Sequence, residues 1–408
     1  MTNITTARTR LALLALALGG FGIGATEFVA MGVLPQIAQN LLPELWVSNQ
    51  HDAIAQAGLL ISAYAAGVVV GAPTIAAGLA RFPRKRLLVG FAIAFTIGAM
   101  LSAMAPPFGL AVGARFAAGP PRGAYFGIAA LVVADLMGPG KRGQGVALVL
   151  SGLTIANVVG VPLITWVGQL HGWRASYWLV AAIFALAVVA IQLAVPTQPG
   201  NPHATFRREL GALRRGQVWF ALGIGSIGFG GFFAVYSYIA PLTTEVTGLP
   251  EGAVPWVLVV LGLGMTIGNL IGGRLADLGS MKAIFIAFPF FIASLVALAL
   301  TSSSAAGLFI FGFLVMGTSA ALSPGIQTRL MDVAGESQTL AAAINHSSLN
   351  IGNSLGAALG AAVIAAGLGY VAPTWVGVAL AVAGFLLAVV AVVFERRHRA
   401  SRGTTMGD

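Results

Sequence analysis

A chain of 408 residues with 58% hydrophobic and only 8% charged side chains is not an ordinary soluble domain, in which about 25% of residues are charged. Its mean hydropathy of +0.91 points to lipid as the solvent, and the absence of cysteine excludes disulfides and thiolate metal sites. The formal charge of +10 reads as basic cytoplasmic loops rather than a nucleic-acid surface, because Lys and Arg accumulate on the cytoplasmic side of membrane proteins.

A membrane-spanning helix needs about 20 mostly apolar residues. On that measure the first half is expected to hold spans at 11–37, 53–80, 87–104, 108–136, 143–169 and 175–195. No A-x-A-like cleavage site follows a short apolar core, so the first span is expected to stay in the protein. The stretch Pro196–Gln217 follows; it carries Arg207, Arg208, Arg214 and Arg215 with three prolines and cannot lie in lipid. Six further spans are expected at 218–242, 253–273, 283–301, 306–328, 339–366 and 374–394. The expected organisation is an all-α membrane protein of twelve helices. A six-helix half covers 1–195, a cytoplasmic linker 196–217, a second six-helix half 218–394 and a cytoplasmic tail 395–408, with a central cavity between the halves. The 54 glycines fit this, because small residues let membrane helices approach closely.

Orientation follows from the basic residues. One set of loops and ends holds Arg8, Arg10, Arg81, Arg84, Lys85, Arg86, Lys141, Arg142, the four linker arginines, Arg274, Lys282, Arg329, Arg396, Arg397, Arg399 and Arg402, which is 19 of the 22 Lys and Arg. Only Arg174 falls in a loop of the other set. Both termini are therefore expected to be cytoplasmic. The halves also echo each other: Leu79-Ala80 recurs as Leu275-Ala276 and Lys85 as Lys282, at matching places after the second span of each half. Paired halves of this kind are a transporter architecture.

Several stretches then carry a family likeness along almost the whole chain. These are Gly273-Arg274-Leu275-Ala276-Asp277 with Lys282, and its first-half copy Leu79-Ala80-Arg81-Phe82-Pro83-Arg84-Lys85-Arg86. To them are added Arg115 with Gly119, Gly160-Val161-Pro162, Gly24-Ala25-Thr26-Glu27-Phe28 with Leu34-Pro35, and Asn345-His346 through Asn350, Gly352 and Asn353. In order and position they resemble the major facilitator superfamily, and within it the twelve-helix drug:proton antiporters and the sugar-efflux and chloramphenicol-resistance-like exporters. The first-half loop passes from Ala80 to Arg81 where the family usually has an Asp between, and has Pro83 where it usually has Gly. The resemblance implies proton-driven efflux of a small molecule, a bacterial inner-membrane location, Gly160 and Pro162 as an antiporter motif, and no cofactor beyond the proton gradient. Protons, one small-molecule substrate and the bilayer are the expected partners; a monomer is expected, and no nucleic acid and no metal.

Glu27 is the only carboxylate well inside a span. A charge there costs about 2.5 kcal/mol or more unless paired, hydrated or protonated. It is the expected proton carrier, the alternative being a neutral hydrogen-bonded structural Glu. Arg115 and Arg122 stand seven apart in span 4 with Pro120 and Pro121 between them. Arg115 is expected to control the proton site, or else to cap carbonyls. Arg122 is expected in the cavity, where it tunes Glu27, meets an anionic substrate or is merely solvated. Phe229, Phe233 and Tyr236, with Phe232, share one side of span 7 as an aromatic cavity wall, the alternative being lipid contact. His346, Asn350 and Asn353 recur at four and three residues and form a polar stripe on span 11, lining the cavity or gluing the helix to a neighbour. Gly352, Gly356 and Gly360 form an adjacent packing seam. For gating, Asp135 is expected to pair with Arg81 or Arg84, and Asp277 with Arg329 to be the second-half counterpart.

Two other functions compete. One is a proton-coupled nutrient importer, distinguished by whether cells gain or lose substrate. The other is an intramembrane enzyme using Ser319 of Gly317-Thr318-Ser319-Ala320 with His346, which demands hydrogen-bond reach between the two. No G-x-x-x-x-G-K-[ST] loop is present, so direct ATP drive is not expected.

Overall fold

The computed structural model describes residues 6–79, 82–137, 149, 151–199, 216–334 and 338–404. Among them the chain is helical, with no strand. In a bilayer every backbone N–H and C=O must be satisfied inside the chain, which leaves helices as the answer for apolar runs of this length. Among the described residues, eleven helices are long and apolar enough to cross a membrane. The missing member of the twelve is span 4, which is divided into Phe108–Ala118 and Pro121–Met137. Proline removes a backbone donor and clashes with the preceding turn, so Pro120-Pro121 cuts the helix into pieces of 11 and 17 residues. Even crossing numbers place residues 6, 199, 216 and 404 on one face, the terminal face. The loops joining spans 1 to 2, 7 to 8 and 11 to 12 lie on the far face.

Span 1 is Thr6–Gly32, carried on past Val33 by Leu34–Leu41. Span 2 is Gln50–Ala57 and Leu59–Leu79, span 3 is Arg84–Met104 and span 6 is Trp173–Ala194. Span 5 contains a π-turn at Ala156–Gly160 before Val161–His171, next to Pro162. Span 7 is the most irregular, with Gly216–Gly223, a π-turn Ile224–Gly228, Gly230–Tyr236, Ile239–Pro241 and a second π-turn Leu242–Val246. Such π-turns are single-turn bulges that redirect side chains. Spans 8 to 12 are the long helices Val254–Asp277, Ser280–Thr301, Ala305–Ala334, Gln338–Ala365 and Ala372–Thr404.

The duplicated sequence is a duplicated packing scheme. A Cβ on Gly67 or Gly71 of span 2 would overlap the backbone of Phe116 or Pro120 in span 4. A Cβ on Gly264 or Gly268 of span 8 would likewise overlap Phe313 or Gly317 in span 10. The two glycine pairs stand at the same spacing and hold the same two helices of each half at backbone contact. Gly352 and Gly356 of span 11 meet the backbone of Ser226 and Gly230, while Gly360 meets the ring of Tyr238, all in span 7. The seam therefore packs span 11 on span 7. Where the halves touch, Gly262 of span 8 lies against the carbonyl of Asn157 in span 5. Span 2 meets span 11 through Ser62 and Ser354, each hydroxyl donating to the other's carbonyl, at 3.4 and 3.2 Å. Large apolar side chains such as Leu101, Leu193, Trp256, Leu300 and Leu386 are exposed, as lipid-facing positions are.

Candidate functional site

Glu27 sits in the interior of span 1 with 3% of its surface exposed. Its partner is Arg122, 7% exposed, whose Nη1 lies 2.5 Å from Glu27 Oε1. The same nitrogen donates to Asn350 Oδ1 at 3.1 Å. Nη1 carries two hydrogens, so one nitrogen serves both acceptors. Asn350 is itself oriented by donation from its Nδ2 to the His346 carbonyl at 2.8 Å, one turn back in span 11. A chain of polar contacts thus runs from span 1 through span 4 to span 11, from one half of the molecule into the other.

Arg115 is fully inside the protein, 1% exposed, and donates to Thr26 Oγ1 at 3.3 Å. Its guanidinium lies over Tyr64, 4.4 Å from the ring centroid, with Tyr177 at 5.6 Å. Delocalised guanidinium over aromatic faces is favourable when water is excluded. Arg115 therefore touches the residue beside Glu27, and Arg122 touches Glu27 itself. The helix is broken at Gly119-Pro120 between them, yet both arginines reach neighbouring residues of span 1.

Aromatic side chains close around this core. Phe229, Phe232, Phe233 and Tyr236 form a continuous ring cluster. Phe28, next to Glu27, meets Phe233 at 6.5 Å and Tyr236 edge-on at 5.0 Å. Phe229, Phe233 and Tyr236 are all buried against protein, so they are not lipid-facing. His346, partly exposed, stacks on Phe126 of span 4 at 6.0 Å. Asn353 is fully buried with both amide atoms unpartnered, and the hydroxyls of Tyr64 and Tyr236 are likewise unpartnered. Unsatisfied buried polar groups cost about 1–3 kcal/mol each.

A family model described as Major Facilitator Superfamily matches residues 16–352 and 251–407. The chain belongs to the major facilitator superfamily. It is 38% identical over 362 residues to "Inner membrane transport protein YdhP" of Escherichia coli (strain K12), covering 88% of this chain and 90% of that one. It is 30% identical to a "Chloramphenicol resistance protein" of Streptomyces lividans, over 94% and 95% of the two chains. Among solved structures, a bacterial homolog to the human lysosomal transporter Spinster superposes with a TM-score of 0.72 at 16% identity, over 95% and 98% of the two chains. As a member of this family the protein is an integral membrane transporter and not an enzyme. Ser319 accordingly donates to the Met316 carbonyl of its own helix at 3.0 Å, and no Ser319–His346 contact exists among the described residues.

Among the described residues, side-chain hydrogen bonds between the halves are found at mid-depth and at the far face. There Gln36 donates to Glu251 Oε2 at 3.1 Å and Gln169 to the Glu251 carbonyl at 2.8 Å. A small cleft of about 80 Å³ lies beside them, lined by Gln36, Trp46, Gln50, Gln169, Glu245 and Glu251 among others. His51 stacks on Tyr370 at 4.9 Å. At the terminal face the described ion pairs stay within one half. Arg84 meets Asp135 at 2.5 Å; Arg81 lies outside the described residues. Arg329 does not take Asp277 as its partner: it meets Glu395 at 2.7 Å and Gln217 at 3.0 Å, and Asp277 is exposed at the end of its helix. Arg329 projects toward the flanks of spans 7 and 12, and Glu395 of the extended span 12 reaches it. Gly160 packs on the Phe21 ring of span 1, so the Gly160–Pro162 bend seats span 5 against the helix that carries Glu27.

Residues with no signal of their own in the sequence complete the site. In the sequence Tyr64 and Tyr177 look like any core aromatics, whereas Phe28 stands in the Gly24–Phe28 stretch without a role of its own. Phe126 was findable only as the residue one helical turn beyond Arg122.

Proposed function

We propose that the protein is a proton-coupled exporter of a small neutral or modestly charged molecule, working by alternating access in a bacterial inner membrane with its terminal face and both termini in the cytoplasm. The observation that carries the proposal is the buried Glu27–Arg122 pair of the first half, which a hydrogen bond from Arg122 to Asn350 ties to the second half. A titratable carboxylate held by one arginine in a water-poor site is a group whose loading with a proton changes how its surroundings are bonded. Proton entry converts Glu27 to a neutral acid and frees Arg122, and proton loss restores the pair. Efflux is favoured over uptake by the Streptomyces lividans relative named for chloramphenicol resistance.

Arg115 sets the local field through Thr26. Phe229, Phe233, Tyr236, His346 and Asn353 are assigned to the substrate, whose flat or apolar part they would contact, with Asn353 offering both a donor and an acceptor. Arg84–Asp135 and Arg329–Glu395 brace the terminal ends of the two halves. The transporter acts as a monomer on protons and one substrate, with no bound cofactor.

The test begins with growth inhibition and intracellular accumulation for a compound panel headed by chloramphenicol, in cells with and without the protein. A compound that is depleted from expressing cells becomes the transport probe. In proteoliposomes, Glu27→Gln should preserve exchange of that probe between compartments and abolish its accumulation under an imposed pH gradient. Uphill accumulation by Glu27→Gln would make Glu27 structural, and net uptake into cells would reverse the assigned direction.

A further inference from the structure

We propose that Asn350 is the coupling residue through which the C-terminal half senses whether Glu27 carries its proton, and that it is not a substrate ligand. This rests on the reading of Glu27 as the proton carrier.

A bound proton shifts a conformational equilibrium only by bonding differently in the two states. Glu27 and Arg122 both belong to the first half, so their pairing alone cannot bias one half against the other. Asn350 supplies the missing connection. Its Oδ1 accepts from the same Arg122 nitrogen that holds Glu27, and its Nδ2 is tied to the His346 carbonyl, which aims the oxygen at the guanidinium. Both ends of this amide are in use. Asn353, three residues on, has both ends free and buried, so the stripe divides into one residue that couples and one available to a guest.

While Glu27 is ionised, charge attraction keeps Arg122 on its own half and Asn350 holds only the spare hydrogen. Once Glu27 is protonated the guanidinium loses its counter-charge, and Asn350 becomes its principal acceptor. The proton thereby moves the weight of Arg122's bonding from within a half to between halves. The other groups around Glu27 are Arg115 of span 4, Tyr64 of span 2 and Tyr236 of span 7, with His346 of span 11 near Arg122. Of these charged or titratable side chains, none supplies a hydrogen bond to Arg122 from the second half among the described residues.

The experiment needs no substrate, only protons as the probe. The absence of native cysteine allows spin labels at Ser48→Cys and Leu368→Cys, which lie on far-face loops of opposite halves and are both exposed. Their distance distribution in full-length protein is followed against pH, with the infrared carboxylic-acid band of Glu27 read in parallel. In the otherwise native protein the ratio of the two distance populations should change by roughly tenfold across the titration. Glu27→Gln should abolish that change, assigning it to Glu27 rather than His346. Asn350→Ala should reduce it below about twofold while the carboxyl band still titrates, and Asn350→Gln, which keeps the amide, should restore part of it. A full pH response in Asn350→Ala overturns the proposal while leaving the proton reading intact. A native protein whose distances ignore pH overturns both.

Discussion

Arg122 and Glu27 form a closed ion pair, 2.5 Å between Nη1 and Oε1, with both side chains withdrawn from solvent. Breaking a buried pair by removing one member leaves an uncompensated charge and costs about 3–5 kcal/mol, whereas replacing both with well-packed apolar residues of similar volume is often near neutral. Arg122→Met is therefore expected to lower the unfolding temperature of the detergent-purified protein far more than the Arg122→Met, Glu27→Leu double variant does. A double variant as unstable as the sum of the singles would show that the two residues do not act as a pair.

Arg115 is held by ring faces and one hydroxyl, not by a carboxylate. A lysine lacks the flat guanidinium that suits Tyr64. A double-mutant cycle with Arg115→Lys and Tyr64→Leu should return a coupling of about 1–2 kcal/mol, as expected of a desolvated cation–π contact. Additive losses would mean that the stacking contributes nothing.

Gly268 faces the backbone of Gly317, and Gly90 faces open space. Gly268→Ala is expected to destabilise by about 1–3 kcal/mol through overpacking, while Gly90→Ala should be neutral or stabilising by up to about 1 kcal/mol through helix propensity. Thermal unfolding of the two single variants distinguishes them, and equal effects would refute the backbone-contact seam between spans 8 and 10.

At the terminal face the two ion pairs differ in exposure. Asp135 is 52% exposed and Glu395 26%, against Arg84 at 19% and Arg329 at 10%. An exposed pair is worth about 0–1 kcal/mol and is screened by salt. Asp135→Asn should hardly move the unfolding temperature, and Glu395→Gln should lower it measurably. The reverse order would place the structural brace in the first half.

Leu278 and Leu368 are almost equally exposed, at 67% and 66%, on opposite faces. A single cysteine at Leu368 should react with an impermeant maleimide in intact cells, and one at Leu278 only after the membrane is opened. Labelling in the opposite pattern would invert the assigned orientation.

Much of the architecture was legible in the chain because a bilayer leaves little choice. Apolar runs of one length must be helices, and their number and the basic loops follow from counting. The break in span 4 was visible in Pro120-Pro121, since proline acts locally. Glu27 stood out for the same kind of reason: a lone carboxylate in lipid is conspicuous without any partner being known. Tertiary structure decided the partners. Whether Arg115 or Arg122 takes Glu27 depends on how a broken helix is rotated, which periodicity does not encode. That Arg329 finds Glu395 rather than Asp277 depends on how far span 12 extends beside span 10. Asn350 and Asn353 are alike in the sequence and different in the fold, because only one lies within reach of a guanidinium from the other half. Composition and spacing act along one helix; the ion pair, the ring stacking and the link between halves arise from side chains that meet only when separate helices are packed at backbone contact, and the glycines set that distance.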